Sequence, residues 1–248
     1  MARESGNSMV IPKQGHVIAI DGPAGTGKSS ATRRLAERLG FVHVDTGALY
    51  RAIGLLALEG RAEGDQVSEI ARSAHLEFRR IEGKNPANRI FVNGRDVTDQ
   101  IRTPEISMAA SRVSAIPAVR LALLSLQRRL GCAGNSILEG RDIGTVIFPD
   151  ADVKFFLTAS IDVRVKRRLL ELQGSGGVIP SFDELKSQMI ERDRGDSSRA
   201  VAPLSKAEDA IEIDTGPLTL DQVVQRMLEK VRGCLDGLPQ SGVAALKK

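Results

Sequence analysis

His16-Val-Ile-Ala-Ile-Asp21-Gly22-Pro23-Ala24-Gly25-Thr26-Gly27-Lys28-Ser29-Ser30 is the stretch that decides the fold. Its first six residues form an apolar run closed by an acid, as in a strand covered on both faces. The next eight match the pattern G-x-x-x-x-G-K-S, and Lys28 to Leu39 is amphipathic at helical spacing, with Gly40 to end the helix. A strand, a glycine-rich loop and a helix in that order make an anion cradle. The glycines let successive N–H groups point inward, and the helix adds unpaired N–H groups and the positive end of its dipole. Lys28 supplies a point charge for the β- and γ-phosphates, and the Ser29 hydroxyl is a ligand for Mg²⁺. Residues Gly22 to Ser30 are therefore the candidate ATP site, with Mg²⁺ as cofactor.

Outward from this loop, four more short apolar runs alternate with helical patterns. They are Phe41–Asp45, Ser136–Glu139, Val153–Thr158 and Ala210–Asp214. The alternation predicts a five-stranded parallel sheet flanked by helices, the α/β architecture of P-loop NTPases. Most of these runs end on an acid or are followed by glycine, on the edge where open α/β sheets bind ligands. Glu139, at the end of the third run, is the candidate for a Walker-B-like acid near Mg²⁺. Helix starts are marked by Thr103-Pro104-Glu105, by Pro117, and by the capping boxes Ser181-x-x-Glu184 and Thr219-x-x-Gln222. Between Gly60 and Ile101 the pattern changes. His75–Ile81 and Arg89–Val92 read as antiparallel strands around a Gly83-Lys84-Asn85-Pro86 turn, with Val97 on a third short edge.

The expected organisation is a flexible leader (1–15), a P-loop core (16–59 and 102–235), an inserted small β-containing subdomain (60–101), a short lid (about 164–182) and a flexible tail (236–248). Gly174-Ser175-Gly176-Gly177 suits a mobile lid tip.

The chain has 248 residues, of which 42% are apolar and 27% charged, and this excludes a wholly disordered or collagen-like chain. Two cysteines, Cys132 and Cys234, give no disulfide or metal framework. A net charge of +4, with 7 Phe, 1 Tyr and no Trp, argues against nucleic-acid binding. No run reaches the length of a membrane span or a signal-peptide core. We expect a cytoplasmic monomer that binds neither membranes nor nucleic acids. There is no Asn-Lys-x-Asp guanine-reading motif, so a regulatory GTPase is excluded.

Four segments place Arg beside Asp or a small polar residue: Asp45-Thr46-Gly47-Ala48-Leu49-Tyr50-Arg51, Gly140-Arg141-Asp142-Ile143-Gly144-Thr145, Arg192-Asp193-Arg194-Gly195-Asp196, and Arg199. Several fixed guanidiniums around one cleft are costly unless an anion joins them. They predict a second, phosphate-bearing substrate facing the triphosphate. From the residues alone, that acceptor is either a nucleotide or another small molecule such as shikimate or dephospho-coenzyme A.

With IAIDGPAGTGKSS, DTGALYRA, EGRDIGTVIFPDA, RVKRRLLEL and ERDRGDSSRAVAPL, the chain resembles the bacterial cytidylate kinases from about Val17 to Met227. The resemblance implies phosphorylation of CMP and dCMP by Mg-ATP. It assigns Arg51, Arg141 and Arg192 to the CMP phosphate, with Thr46 in the same wall. It assigns Ser111, Arg120 and Asp142 to cytosine, Asp196 and Arg199 to the sugar side, and Arg164, Arg167 and Arg168 to the lid base over ATP. Lys28, Arg141 and Arg192 are then the catalytic group, and Ser29 and Glu139 the metal side. Hydrogen-bond polarity agrees with the base assignment. Asp142 accepts from the cytosine amine and Arg120 donates to N3 and O2, whereas uracil presents the opposite polarity. The lid tip GSGGVIPS is richer in glycine than the family pattern.

Overall fold

The computed structural model describes residues 12–81, 88–173 and 179–235. Expectations for the start of the leader, the Gly83–Pro86 turn, the lid tip at Gly174–Gly177 and the tail fall outside these residues. At the end of the leader, Lys13 donates to Asp150 O at 2.8 Å and Gln14 N–H to Cys132 O at 3.0 Å.

The glycine-rich loop follows the central strand of a parallel sheet. β1 (Val17–Asp21) lies between β6 (Ser136–Glu139) and β7 (Val153–Thr158), with β2 (Val42–Asp45) and β8 (Ile211–Asp214) on the outer edges. All five strands were legible in the sequence to within a residue at each end. Their period-two alternation divides the interior. Ile18 and Ile20 pack with Leu35 of α1 (Lys28–Leu39) and Val224 and Met227 of α8 (Leu220–Cys234). Val17 and Ala19 face the other side, with Leu138, Ile143 and Phe148. The sequence reading expected cover on both faces of every strand. β1 and β6 are buried throughout, but the outer strands are not, and Val42 is 57% exposed. A strand with one neighbour has an open flank, and apolar content does not reveal that.

A second cluster of apolar side chains forms around α2 (Thr46–Glu59), α3 (Asp65–Ser73), α4 (Pro104–Ser114), α5 (Pro117–Cys132) and a three-stranded antiparallel sheet of β3 (Leu76–Arg80), β4 (Asn88–Val92) and β5 (Arg95–Asp96). Helix α3 was not anticipated. The third strand ends just before Val97, which is itself wholly buried. The reversal is made by Asn93-Gly94, both at positive φ (50° and 81°), a pair suited to a tight hairpin. The remaining helices, α6 (Ile161–Gln173) and α7 (Phe182–Ser197), pack through Val165, Leu172, Leu185 and Met189. Both expected capping boxes are formed, at Ser181–Glu184 and Thr219–Gln222. Among the described residues no single helix is long and apolar enough to cross a membrane.

Register sets the working edge. Ile20 and Asp45 both pair with Glu139, and Asp21 pairs with Phe156. Asp45 and Glu139 therefore end their strands level with Ile20, and Asp21 ends β1 one residue further on, beside the loop that follows it.

Candidate active site

Gly22 leaves β1 at φ +142°, where a Cβ would lie 2.1 Å from Leu157 O, so only glycine permits this exit. Gly27, at φ 85°, is the N-cap of α1 and no side chain caps the helix, which leaves its first N–H groups for an anion. Lys28 is buried and curls back on the loop, donating to Pro23 O at 2.6 Å and to Thr26 Oγ1 at 3.4 Å. Burial first, then the Arg141 charge, holds its pKa well below the lysine range, against the pull of Glu139 and Asp21. Of the remaining loop residues, Pro23, Ala24 and Gly25 are half-buried and Thr26 is buried. Ser30 is exposed in the first turn of α1.

Ser29 Oγ donates to Glu139 Oε2 at 2.8 Å, and Glu139 Oε1 lies 2.8 Å from His43 Nε2. Burial opposes charge on His43, but the hydrogen bond to Glu139 and the charges of Glu139 and Asp45 outweigh it and raise its pKa. No group of three or more His, Cys, Asp or Glu among the described residues forms a metal cage. A hydroxyl and one carboxylate are hard oxygen donors, and so sparse a set fits Mg²⁺, which takes its other ligands from phosphates and water.

Across from the loop lies a concentration of guanidinium groups. Arg51 of α2 donates to Asp45 Oδ2 at 2.7 Å, and Asp45 Oδ1 accepts Ala48 N–H at 3.0 Å. Arg141, just past β6, donates through Nε to Asp196 Oδ2 at 3.0 Å. Arg192 of α7 makes no hydrogen bond or ion pair with any described residue, and its Nε is buried without a partner. Burial, then the charges of Arg141 and Arg51, bring its pKa down to about 10 against the pull of Asp196. Lys28 feels both Arg141 and Arg192. Guanidiniums outnumber the carboxylates in this pocket, where Asp45 pairs with Arg51 and Asp196 with Arg141.

One wall of this pocket is a buried polar network. Asp142 pairs with Arg120, which also donates to Ser114 O at 3.3 Å, and its guanidinium lies 5.4 Å from the Tyr50 ring centroid. Burial raises the Asp142 pKa, with Arg120 opposing. Arg199 donates to Ser114 Oγ at 2.9 Å and to Asp196. Although burial works the other way, Arg141 and Arg199 hold Asp196 below its usual pKa. Ser111 is half-buried one turn earlier on α4, its carbonyl accepting from Ser114 Oγ at 2.9 Å. The Thr46 hydroxyl is spent on Glu139 O at 2.7 Å, fastening the end of β2 to β6.

Of the three candidate lid arginines, two are already engaged with the loop. Arg164 reaches Ala24 O at 3.2 Å and pairs with Asp193, tying the loop to both α6 and α7. Arg167 donates to Thr26 O at 3.3 Å and to Thr215 O at 2.7 Å. Arg168 pairs with Glu171 one turn on. Sequence reasoning missed Asp21, His43 and Thr215 as members of this constellation, and gave no role to Asp45 and Asp193 within the arginine segments it singled out. Asp21 and Asp45 carried a signal as strand-end acids. His43 and Thr215 carried none, since their roles come from strand register and from the packing of the loop after β8.

A glycine-rich loop on the central strand of a sheet ordered β2-β6-β1-β7-β8, facing a second cationic pocket, defines a P-loop kinase acting on a phosphorylated acceptor. The profile of the cytidylate kinase family matches residues 18–233, and the chain belongs to that family. It is 50% identical over 216 residues to the cytidylate kinase of Syntrophotalea carbinolica, a match covering 87% of this chain and 91% of that protein. It is 48% identical over 221 residues to that of Geobacter sulfurreducens, covering 89% and 94%. The chain is accordingly a nucleoside monophosphate kinase.

Proposed function

We propose that the chain transfers the γ-phosphoryl group of Mg-ATP to the phosphate of CMP or dCMP, giving ADP and CDP or dCDP. An oxygen of the acceptor phosphate forms the new P–O bond as the bond to the β-phosphate oxygen breaks. The acceptor is already an anion, so no general base is needed, and catalysis is positioning and charge stabilisation. Gly22 to Ser30 hold the triphosphate through main-chain N–H groups, and Lys28 turns from Pro23 O to the β- and γ-phosphates. Arg51, Arg141 and Arg192 grip the acceptor phosphate, with Thr46 behind them. Asp142 and Arg120, with Ser111, read cytosine, while Asp196 and Arg199 face the sugar. Arg164, Arg167 and Arg168 form the base of the lid over ATP. Ser29 and Glu139 are the residues to hold Mg²⁺, which when bound neutralises charge on the transferring phosphates. On this reading the enzyme works as a cytoplasmic monomer on free nucleotides.

The observation that carries this reading is Arg192, a half-buried guanidinium with no hydrogen bond or ion pair among the described residues, set among Arg51 and Arg141. A partly desolvated guanidinium beside two others is expensive, and an acceptor phosphate is the counter-ion that relieves it. A coupled ADP-release assay with Mg-ATP across CMP, dCMP, UMP, AMP and GMP is the test. Turnover with CMP and dCMP at least about 10²-fold above UMP supports the reading. Release that is independent of nucleotide acceptor, or confined to AMP or GMP, overturns it.

A further inference from the structure

The turn that follows Arg141 and Asp142 has an unusual cap. Residues Ile143–Ile147 form a π-helical turn with Asp142 as its N-cap, and the Asp142 side chain makes no capping hydrogen bond. Aspartate is among the best N-cap residues because its carboxylate accepts the orphan N–H groups of the first turn. Here those donors are taken by another residue. Asp21, the last residue of β1, accepts Ile143 N–H at 2.9 Å through Oδ1 and Gly144 N–H at 2.7 Å through Oδ2. It is 3% exposed, and these two main-chain groups are its only hydrogen-bond partners among the described residues. The approach is close enough that a Cβ on Gly144 would lie 3.4 Å from Asp21 Oδ2 and 3.1 Å from Lys154 Cδ. Because both N–H groups are satisfied from β1, Asp142 is free to turn toward Arg120.

We propose that Asp21 is a specificity-positioning residue: it caps the Ile143–Ile147 turn in place of Asp142, so that the Asp142 carboxylate remains available to read the acceptor's base. This rests on the assignment of Asp142 to cytosine. Without Asp21, two buried N–H groups lose their acceptor, and Asp142, the N-cap of the turn and two residues before Gly144, carries the carboxylate that an N-cap would turn onto them. Capping them pulls it away from Arg120 and from the base. Asp21 also immediately precedes the glycine-rich loop, so one carboxylate fixes the acceptor-reading turn to the strand that carries the donor cradle.

The test is a double-mutant cycle on Asp21→Asn and Asp142→Asn, with Asp21→Ala as a second probe, each checked for folding by thermal melting. Steady-state kinetics are measured with CMP and UMP at varied ATP. Asp21→Asn is nearly isosteric and keeps one acceptor for Ile143 N–H, but sets an amide against Gly144 N–H. The expected result is a fall of about tenfold or more in the CMP/UMP ratio of kcat/KM, the scale set by one unsatisfied buried N–H. It is carried by a higher KM for CMP, with KM for ATP within about twofold of wild type, a split that general loss of structure does not produce. In the Asp142→Asn background the Asp21 substitution removes little further discrimination, since both act through one carboxylate. A folded Asp21→Asn enzyme with an unchanged CMP/UMP ratio, or effects at the two positions that simply add, overturns the inference. A wild-type enzyme with no preference for CMP over UMP overturns the base assignment instead, and this inference with it.

Discussion

Removing the guanidinium of Arg192 should make the ligand-free protein more stable and the enzyme far slower. Arg192→Met keeps most of the apolar stem and deletes the charge. The guanidinium sits at about 10 rather than its usual value because it is buried beside Arg141 and Arg51. A tenfold change in proton affinity is about 1.4 kcal/mol, which bounds the cost of holding this charge in the ligand-free protein at roughly 3.5 kcal/mol. The residue is only half-buried, so solvent screening brings the figure to about 1–2 kcal/mol. For a domain of this size that is a rise in Tm of about 3–6 °C, read by calorimetry without nucleotide. In the same variant the acceptor phosphate loses a charge-assisted donor aimed at the transition state. A loss of this kind costs about 3–4 kcal/mol, so kcat/KM for CMP should fall about 10²–10³-fold in the coupled assay. Added CMP should raise the Tm of wild type much more than that of the variant. A less stable ligand-free variant, or turnover within a few-fold of wild type, refutes the claim that Arg192 awaits an acceptor anion.

Lys28→Met should lower kcat by at least about 10²–10³-fold while CMP binding, measured by calorimetry, stays close to wild type; equal turnover would remove Lys28 from the phosphate site. Asp142→Asn should reduce the preference for CMP over UMP by about 10²-fold with a smaller effect on KM for ATP, and an unchanged ratio would show that Asp142 does not face the base. Asp21, with Asp142 and Lys28 as its charged neighbours, is raised by burial from 3.8 to about 6. Its protonated form is therefore favoured in the fold, and the stability it contributes is full below about pH 4 and lost as pH rises through 6. The stability difference between wild type and Asp21→Asn, followed by denaturant melts, should fall by up to about 3 kcal/mol from pH 4 to pH 7. A difference that is flat or rises with pH would contradict the buried placement of this carboxylate.

What the sequence reveals and what it hides follow physical lines. Strands buried on both faces leave long apolar runs, and the loop after β1 has a spacing that few other structures need, so the sheet and the donor cradle were legible. Capping boxes were legible too, because both partners lie within one turn. The acceptor-side arginines stood out as motifs, but their states did not. Arg167 is occupied by Thr215 and Thr26 main-chain carbonyls, whereas Arg192 has no hydrogen bond among the described residues, and nothing in their local sequences separates them. Contacts made by register were hidden for the same reason. Glu139 and His43 meet across adjacent strands although 96 positions apart, and Asp21 meets Ile143 across 122. The third small strand, expected at Val97, lies just before it at Arg95–Asp96, because a strand of two residues directly after the Asn93-Gly94 reversal is too short for a period-two pattern to fix its bounds.

The central claim is that a donor cradle of main-chain amides and an acceptor pocket of guanidiniums are filled together. Titrating CMP into the protein already saturated with magnesium and a non-hydrolysable ATP analogue addresses it most directly. One CMP per chain should bind without displacing the analogue, with UMP at least about tenfold weaker and Arg192→Met losing most of the affinity. CMP that competes with the analogue, or binds no better than UMP and as well to Arg192→Met, would contradict the account.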